Sequence, residues 1–403
     1  MELGKNSKIA IVCRPGPDNG PFSAQALATF REGLQMNGQD ISGIYAVSGS
    51  CSTALLGCIN EEEMLCKIWF NLTPEDVVGD TTDLKSVVRL LKKIEERDSL
   101  LPRSVSDFRE MKQAKILVQR LKDGHVFSNL PLLRLVEKYC LPVIDKIFGP
   151  EAILMKIGAV DFLTAQSVIF SNKIPEHKDL ICIGTIGSMC LIPWFQSPTI
   201  DSPIEKKLVD RVHPKFNSIL LMDGGYKTGL LLEEAVREPV GYDAIFIIDI
   251  HDLQFEDINL AIPYNIATRL IRTISTLTVT NDQLVLSLVE RINEGVSIRN
   301  KIAEVKNKLL EIKRASGYSQ NVEDVTKQVE ELIDQMDHGR LRLADKYTQQ
   351  IGKISNPDLA IPFDFTNFNQ ATVTHLMRAG HNAALKMLKQ LGLNIQGIPL
   401  IRP

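Results

Sequence analysis

The chain has 403 residues, 44% hydrophobic and 24% charged, enough for one large domain or two smaller ones and too apolar for wholesale disorder. With 46 basic and 49 acidic residues the net charge is -3, which leaves no electrostatic footprint for nucleic acid. The seven cysteines all fall in the first half, without regular spacing or a Cys-x-x-Cys pair, and so argue against a disulfide framework or a zinc site. Residues 1–8 lack the apolar core of a signal peptide. The longest uncharged stretch, 180–198, is interrupted by Pro193 and is too short in its apolar part to span a bilayer. A cytoplasmic protein in a reducing compartment is the expectation.

Residues 8–13 (Lys-Ile-Ala-Ile-Val-Cys) read as a first buried strand, and 14–20 (Arg-Pro-Gly-Pro-Asp-Asn-Gly) as a loop. A helix is predicted over 23–35, with Phe22, Ala26, Leu27, Phe30 and Leu34 at helical spacing. Residues 41–57 then combine an apolar strand (Ile44 to Val47), a turn at Ser48-Gly49, and a helix of small residues from Ser52. That is the layout of a nucleophile elbow, in which a tight turn lifts a serine oxygen out of a sheet. The usual Gly-x-Ser-x-Gly is replaced by Ala46-Val47-Ser48-Gly49-Ser50, the next smallest residues at the crowded positions. A register with Ser50 at the apex competes; Ser48 is preferred because it directly follows the apolar run. An ordinary strand-turn-helix link with serine caps explains the same stretch.

Residues 61–148 read as mostly helical: 61–70, 83–96, 108–121 and 132–148. Strands are predicted at 153–157 and 165–170, a buried helix at 180–191, a strand at 218–222 running into Asp223-Gly224-Gly225, a helix at 230–237 and a strand at 244–250. The alternation predicts an α/β fold with a mostly parallel sheet covered by helices on both faces. An acid at a strand end followed by two glycines is well placed for a site.

From residue 284 the pattern changes. Ile298, Ile302, Val305, Leu309 and Ile312 alternate spacings of four and three, as do Val322, Val325, Val329, Leu332 and Met336, with Ser316-Gly317 between. Two long helices folded as a hairpin over 284–350 are expected, their seams facing each other. The hairpin either packs on the core or serves as a partner-binding or dimerisation arm; its residues do not choose. A last amphipathic helix spans 367–391. The expected domains are an α/β unit over 8–280 with a helical insertion at 61–148, the hairpin at 284–350, and residues 357–403 packing back on the core.

A serine elbow needs a base and an oxyanion hole. Ser48, Asp223 and His251 would make a triad on paper, but in an α/β hydrolase the elbow follows several strands, and here it follows the second. Asp223 acting directly on the serine is preferred, because its glycines leave room beside the acid.

Three blocks resemble the patatin-like phospholipases: the elbow Ala46 to Ser50, Asp223-Gly224-Gly225, and Gly187-Ser-Met-Cys-Leu-Ile-Pro193-Trp-Phe195, and their order and spacing along the chain agree with that family. The likeness covers about residues 8–250, and the hairpin lies outside it. It implies a three-layer fold and a Ser-Asp dyad with no histidine, metal or cofactor, acting on acyl esters of lipids. Carried over, Ser48 is the nucleophile and Asp223 the base, with Gly224 and Gly225 supporting it. The oxyanion hole would draw on Gly16, Asp18, Asn19, Gly20 and Gly49. The family's Gly-Gly-Gly-x-Arg/Lys-Gly is replaced by Pro15-Gly16-Pro17-Asp18-Asn19-Gly20, in which two prolines lack an N–H. A hydrophobic ester substrate, peripheral membrane contact and a homo-oligomer or protein partner through 284–350 are the implied partners. A non-catalytic relative that binds lipid or a partner through the hairpin is the alternative.

Overall fold

The computed structural model describes residues 3–16 except 5, 19–79, scattered positions in 112–120, 125–201 except 193, 218–250 except 228, 229 and 240, 266–316, 320–338, 350–356 and 368–401. The helices expected at 83–96 and, for the most part, 108–121 lie outside them, as do Asp18 and His251.

The described chain is a mixed α/β structure. Strand β1 (Ile9–Cys13) leads through residues 14–18 to α1 (Asn19–Met36), β2 (Ile41–Val47), a single 3-10 turn (Ser48–Ser50) and α2 (Cys51–Gly57). Helices α3 (Glu62–Asn71), α4 (Pro74–Val78), α5 (Leu130–Cys140) and α6 (Ile144–Ile147) follow. Then come β3 (Leu154–Asp161), β4 (Ser167–Ser171), α7 (Ile181–Ser188), β5 (Thr199–Asp201), β6 (Ser218–Asp223), α8 (Leu232–Val236) and β7 (Ala244–Ile248). The chain continues through α9 (Ile266–Ser316), α10 (Gln320–His338), β8 (Gln350–Ile354) and α11 (Gln370–Gln390).

Five strands, β3-β2-β1-β7-β8, pair in parallel. Strands β4 and β6 are both antiparallel to β3, and β5 is antiparallel to β6. The central strands are apolar without alternation, as strands covered on both faces must be. Ile9, Ile11, Ile44 and Ala46 face one layer, with α1, α2, α7 and α11, while Ala10, Val12, Tyr45 and Val47 face the other, with α8 and the Val285-Leu286 turn of α9.

One pairing positions the site. Residues 156–160 of β3 pair with β4 on one edge. Residues 154–158 pair with β2, and 159–161 with β6, so β2 and β6 share the opposite edge and run toward each other. Val47 lies against Gly158, and Asp223 against Ala159. Their tips meet.

Several sequence expectations shift. Helix α1 begins at Asn19, so Asn19 and Gly20 belong to its first turn and not to the preceding loop. The helix expected over 132–148 is broken at 141–143, where Pro142 interrupts the hydrogen-bond ladder. Strands β5 and β8 have too few apolar residues to stand out in the sequence; β8 is recruited by the edge of β7.

The hairpin departs most. Helix α9 is 51 residues long and starts before residue 284. It meets α10 through the Lys306–Glu330 ion pair at 2.9 Å, and the predicted seam divides: Ile302, Leu309, Val329 and Met336 are half-buried, and the other four described residues are exposed. Ile298 and Val305 are 52% and 50% exposed, and Val325 and Leu332 are each 44% exposed, while Val289, Val296 and Thr326 are buried. The rotation of α9 is set where its Val285 and Leu286 pack on the core, and a continuous helix carries that rotation along its length. Among the described residues no helix is long and apolar enough to cross a membrane.

Candidate active site

Ser48 sits where β2 ends and the 3-10 turn begins, with φ 57°, the left-handed region that costs an L-residue roughly 1–2 kcal/mol. The position is held by its neighbours. The Ser48 N–H donates to Ser188 Oγ at 2.8 Å, and Ser188 Oγ donates to the Gly158 carbonyl at 2.5 Å. Strain of this kind is characteristic of functional turns.

The Ser48 hydroxyl donates to Asp223 Oδ2 at 2.6 Å. Asp223 Oδ1 accepts the Gly225 N–H at 2.8 Å, and the Asp223 N–H donates to the Cys190 carbonyl at 2.9 Å. Ser48 is 9% exposed and Asp223 is 5% exposed. Burial pushes the Asp223 carboxyl up to about 6, against the hydrogen bonds from Ser48 and Gly225, which lower it. The result is a carboxylate basic enough to accept a proton near neutral pH, in contact with a hydroxyl that can give one.

Gly224 lets the two tips meet. A Cβ there would lie 2.3 Å from the Gly158 carbonyl oxygen and 2.7 Å from Val47 Cγ1. Gly225 places its N–H on the aspartate. The competing serine is committed elsewhere: Ser50 is fully buried, and its hydroxyl donates to the Arg14 carbonyl at 2.7 Å.

Around the oxyanion loop, Arg14 is buried and its guanidinium pairs with Asp249 at 3.1 Å. Asn19 Nδ2 donates to the Pro15 carbonyl at 3.0 Å, and Asn19 Oδ1 accepts the Ile250 N–H at 3.0 Å. The Asn19 side chain therefore braces the loop. Gly20 is buried behind the Trp69 ring, 2.1 Å from where a Cβ would be. Asp18 lies outside the described residues. Gly16, at φ 133°, and Gly49, in the middle of the 3-10 turn, are both half-buried. Among the described residues, neither N–H donates to a protein acceptor.

The residue that the sequence left without a role is Ser188. It lies in the Gly187-to-Phe195 block, whose place in the order was the only signal. That block touches both halves of the site: Ser188 holds the Ser48 N–H, Cys190 holds the Asp223 N–H, and the Ile192 carbonyl accepts the Tyr226 hydroxyl at 2.5 Å. Among the described residues, no three His, Cys, Asp or Glu side chains gather as metal ligands do.

A scan of protein-family models finds no match, and a search of curated proteins finds none. Among solved structures, VipD from Legionella pneumophila is similar over 96% of this chain and 68% of its own, at 10% identity and a TM-score of 0.32. A likeness at that level does not establish the fold, which rests on the strands and helices described above.

Proposed function

We propose that the protein is a serine acyl hydrolase of the patatin-like type, acting on carboxylic esters of lipids through a Ser48-Asp223 dyad. The observation that carries this reading is the 2.6 Å hydrogen bond from the serine at the strained tip of β2 to the buried aspartate at the tip of β6. The patatin-like resemblance of three sequence blocks supports it, because all three converge on that bond.

In the proposed cycle Ser48 Oγ attacks the ester carbonyl carbon while its proton passes to Asp223 Oδ2. The oxyanion so formed accepts hydrogen bonds from the Gly16 and Gly49 N–H groups. Collapse breaks the bond to the alkoxide, which leaves with the proton from Asp223. Water then attacks the acyl-serine, giving one proton to Asp223, and release of the carboxylic acid returns that proton to Ser48.

The second reading, a non-catalytic binding module, is favoured by one feature: Pro15 carries no N–H where the family has a glycine. A fluorophosphonate probe and a short-chain nitrophenyl ester separate the two. Labelling and turnover that disappear in both Ser48→Ala and Asp223→Asn support the hydrolase. An unlabelled wild-type protein with no turnover on short or long acyl esters supports the binding module.

A further inference from the structure

The hairpin leaves an apolar surface uncovered. Ile298 and Val305 on α9 and Val325 and Leu332 on α10 are each seven residues apart, at least 44% exposed, and rotated away from the contact between the two helices. Ile302, Leu309, Val329 and Met336 beside them are half-buried. Because Lys306 pairs with Glu330, antiparallel counting sets Val305 level with Glu331, next to Leu332. Residues 300–309 of one row therefore lie beside 327–336 of the other, with Val305 and Leu332 adjoining. Heptad spacing on an exposed face is the pattern of a helix seam that lacks its partner.

The charges select the partner. Over 291–316, α9 carries seven basic residues against three acidic; over 320–338, α10 carries six acidic against one lysine. Lys301 and Lys308, three residues after Ile298 and Val305, edge the stripe on α9. Asp324 and Glu331, one residue before Val325 and Leu332, edge it on α10. All four are exposed, and none has an ion pair among the described residues. The surface is thus apolar in the middle, positive on one edge and negative on the other, which makes it complementary to itself.

We propose that this stripe is the interface with a second copy of the chain, forming a four-helix bundle about a two-fold axis parallel to the hairpin. That axis sets each α9 beside the partner's α10, lysine edge to acid edge; an axis across the hairpin would set like charges together. Helix α10, with 19 residues, is about 28 Å long. Two helices abreast are about 20 Å wide, so the footprint is on the order of 550 Å² per copy, at the low end for a specific interface. A dimer with micromolar affinity is expected.

Sedimentation velocity on the full chain from about 1 to about 100 µM tests this without reference to hydrolysis. The wild type should shift from monomer to dimer. The variant Ile298→Ser, Val305→Ser, Leu332→Ser should stay monomeric with unchanged helical circular dichroism. Lys301→Glu with Lys308→Glu in one chain, and Asp324→Lys with Glu331→Lys in another, should each weaken self-association by at least ~10-fold, and mixing the two should restore a heterodimer. That rescue cannot come from misfolding. A wild type that remains monomeric throughout, a dimer unaffected by the apolar substitutions, or charge variants that do not pair on mixing would overturn the proposal.

Discussion

Val47 and Asp223 pair with consecutive residues of one strand, Gly158 and Ala159. Two strands that approach from opposite directions along the same edge of β3 leave no gap between their ends, and Ser48 and Asp223 are the residues at the junction. The site therefore depends on a register that a slip in either strand would destroy.

Removing either reacting group should abolish the chemistry while leaving the fold. Ser48→Ala and Asp223→Asn are each expected to lower kcat/KM on a short-chain ester by roughly a thousand-fold or more. Steady-state kinetics beside a thermal melt checks this. A Ser48→Ala protein as active as wild type would remove that serine from the mechanism.

The pH dependence follows from the carboxyl raised to about 6. Asp223 must be ionised to take the proton, so kcat/KM should rise with pH and level off above about 6. Stability should move the other way. A folded-state value above the ordinary 3.8 means that folding favours the protonated form, so this group's contribution is full below 3.8 and is lost as pH rises through about 6. Denaturant midpoints of wild type and Asp223→Asn should accordingly draw together at low pH, with the variant the more stable near pH 7.

Ser188→Ala should leave the Ser48 N–H and the Gly158 carbonyl without their side-chain partner. A cost of about 1–3 kcal/mol in stability is expected, with a fall in kcat larger than any change in KM, since the serine loses its fixed position. Equal changes in both kinetic constants would contradict a positioning role.

Gly224→Ala forces a methyl group into the Gly158 carbonyl oxygen and Val47. Because the obstacle is backbone, the two tips must separate, and activity should fall about as far as in Asp223→Asn. A folded, fully active Gly224→Ala protein would show that the tips need not touch.

Asp249→Ala strands the buried Arg14 guanidinium behind the oxyanion loop. The expected loss is about 3–5 kcal/mol, read from denaturant unfolding. Asn19→Ala, which removes the neutral hydrogen bonds to the Pro15 carbonyl and from the Ile250 N–H, should cost less stability but lower kcat, because the Gly16 N–H is no longer held in place.

Much of this was legible in the chain. Strands β1, β2 and β7 announce themselves as unbroken apolar runs, since a strand covered on both faces cannot alternate. Ser48 and Asp223 stood out because a serine after such a run, and an acid before two glycines, are local patterns, and tight turns leave their mark in small residues. Ser188 was not legible as a partner of Ser48, because 140 residues separate them and nothing local to either records the contact.

The sequence by itself determined that this is an α/β protein with a serine turn after an apolar strand, an acid at a strand end and a heptad-patterned hairpin, because each depends on residues close together in the chain. Only the tertiary structure decided that β6 runs antiparallel along β2's edge of β3, that Asn19 braces the loop, and that Ile298, Val305, Val325 and Leu332 of the heptad rows face outward. Those outcomes depend on which surfaces meet first and best: a strand's direction is set by the edge that accepts it, and a long helix's rotation by the turn that docks.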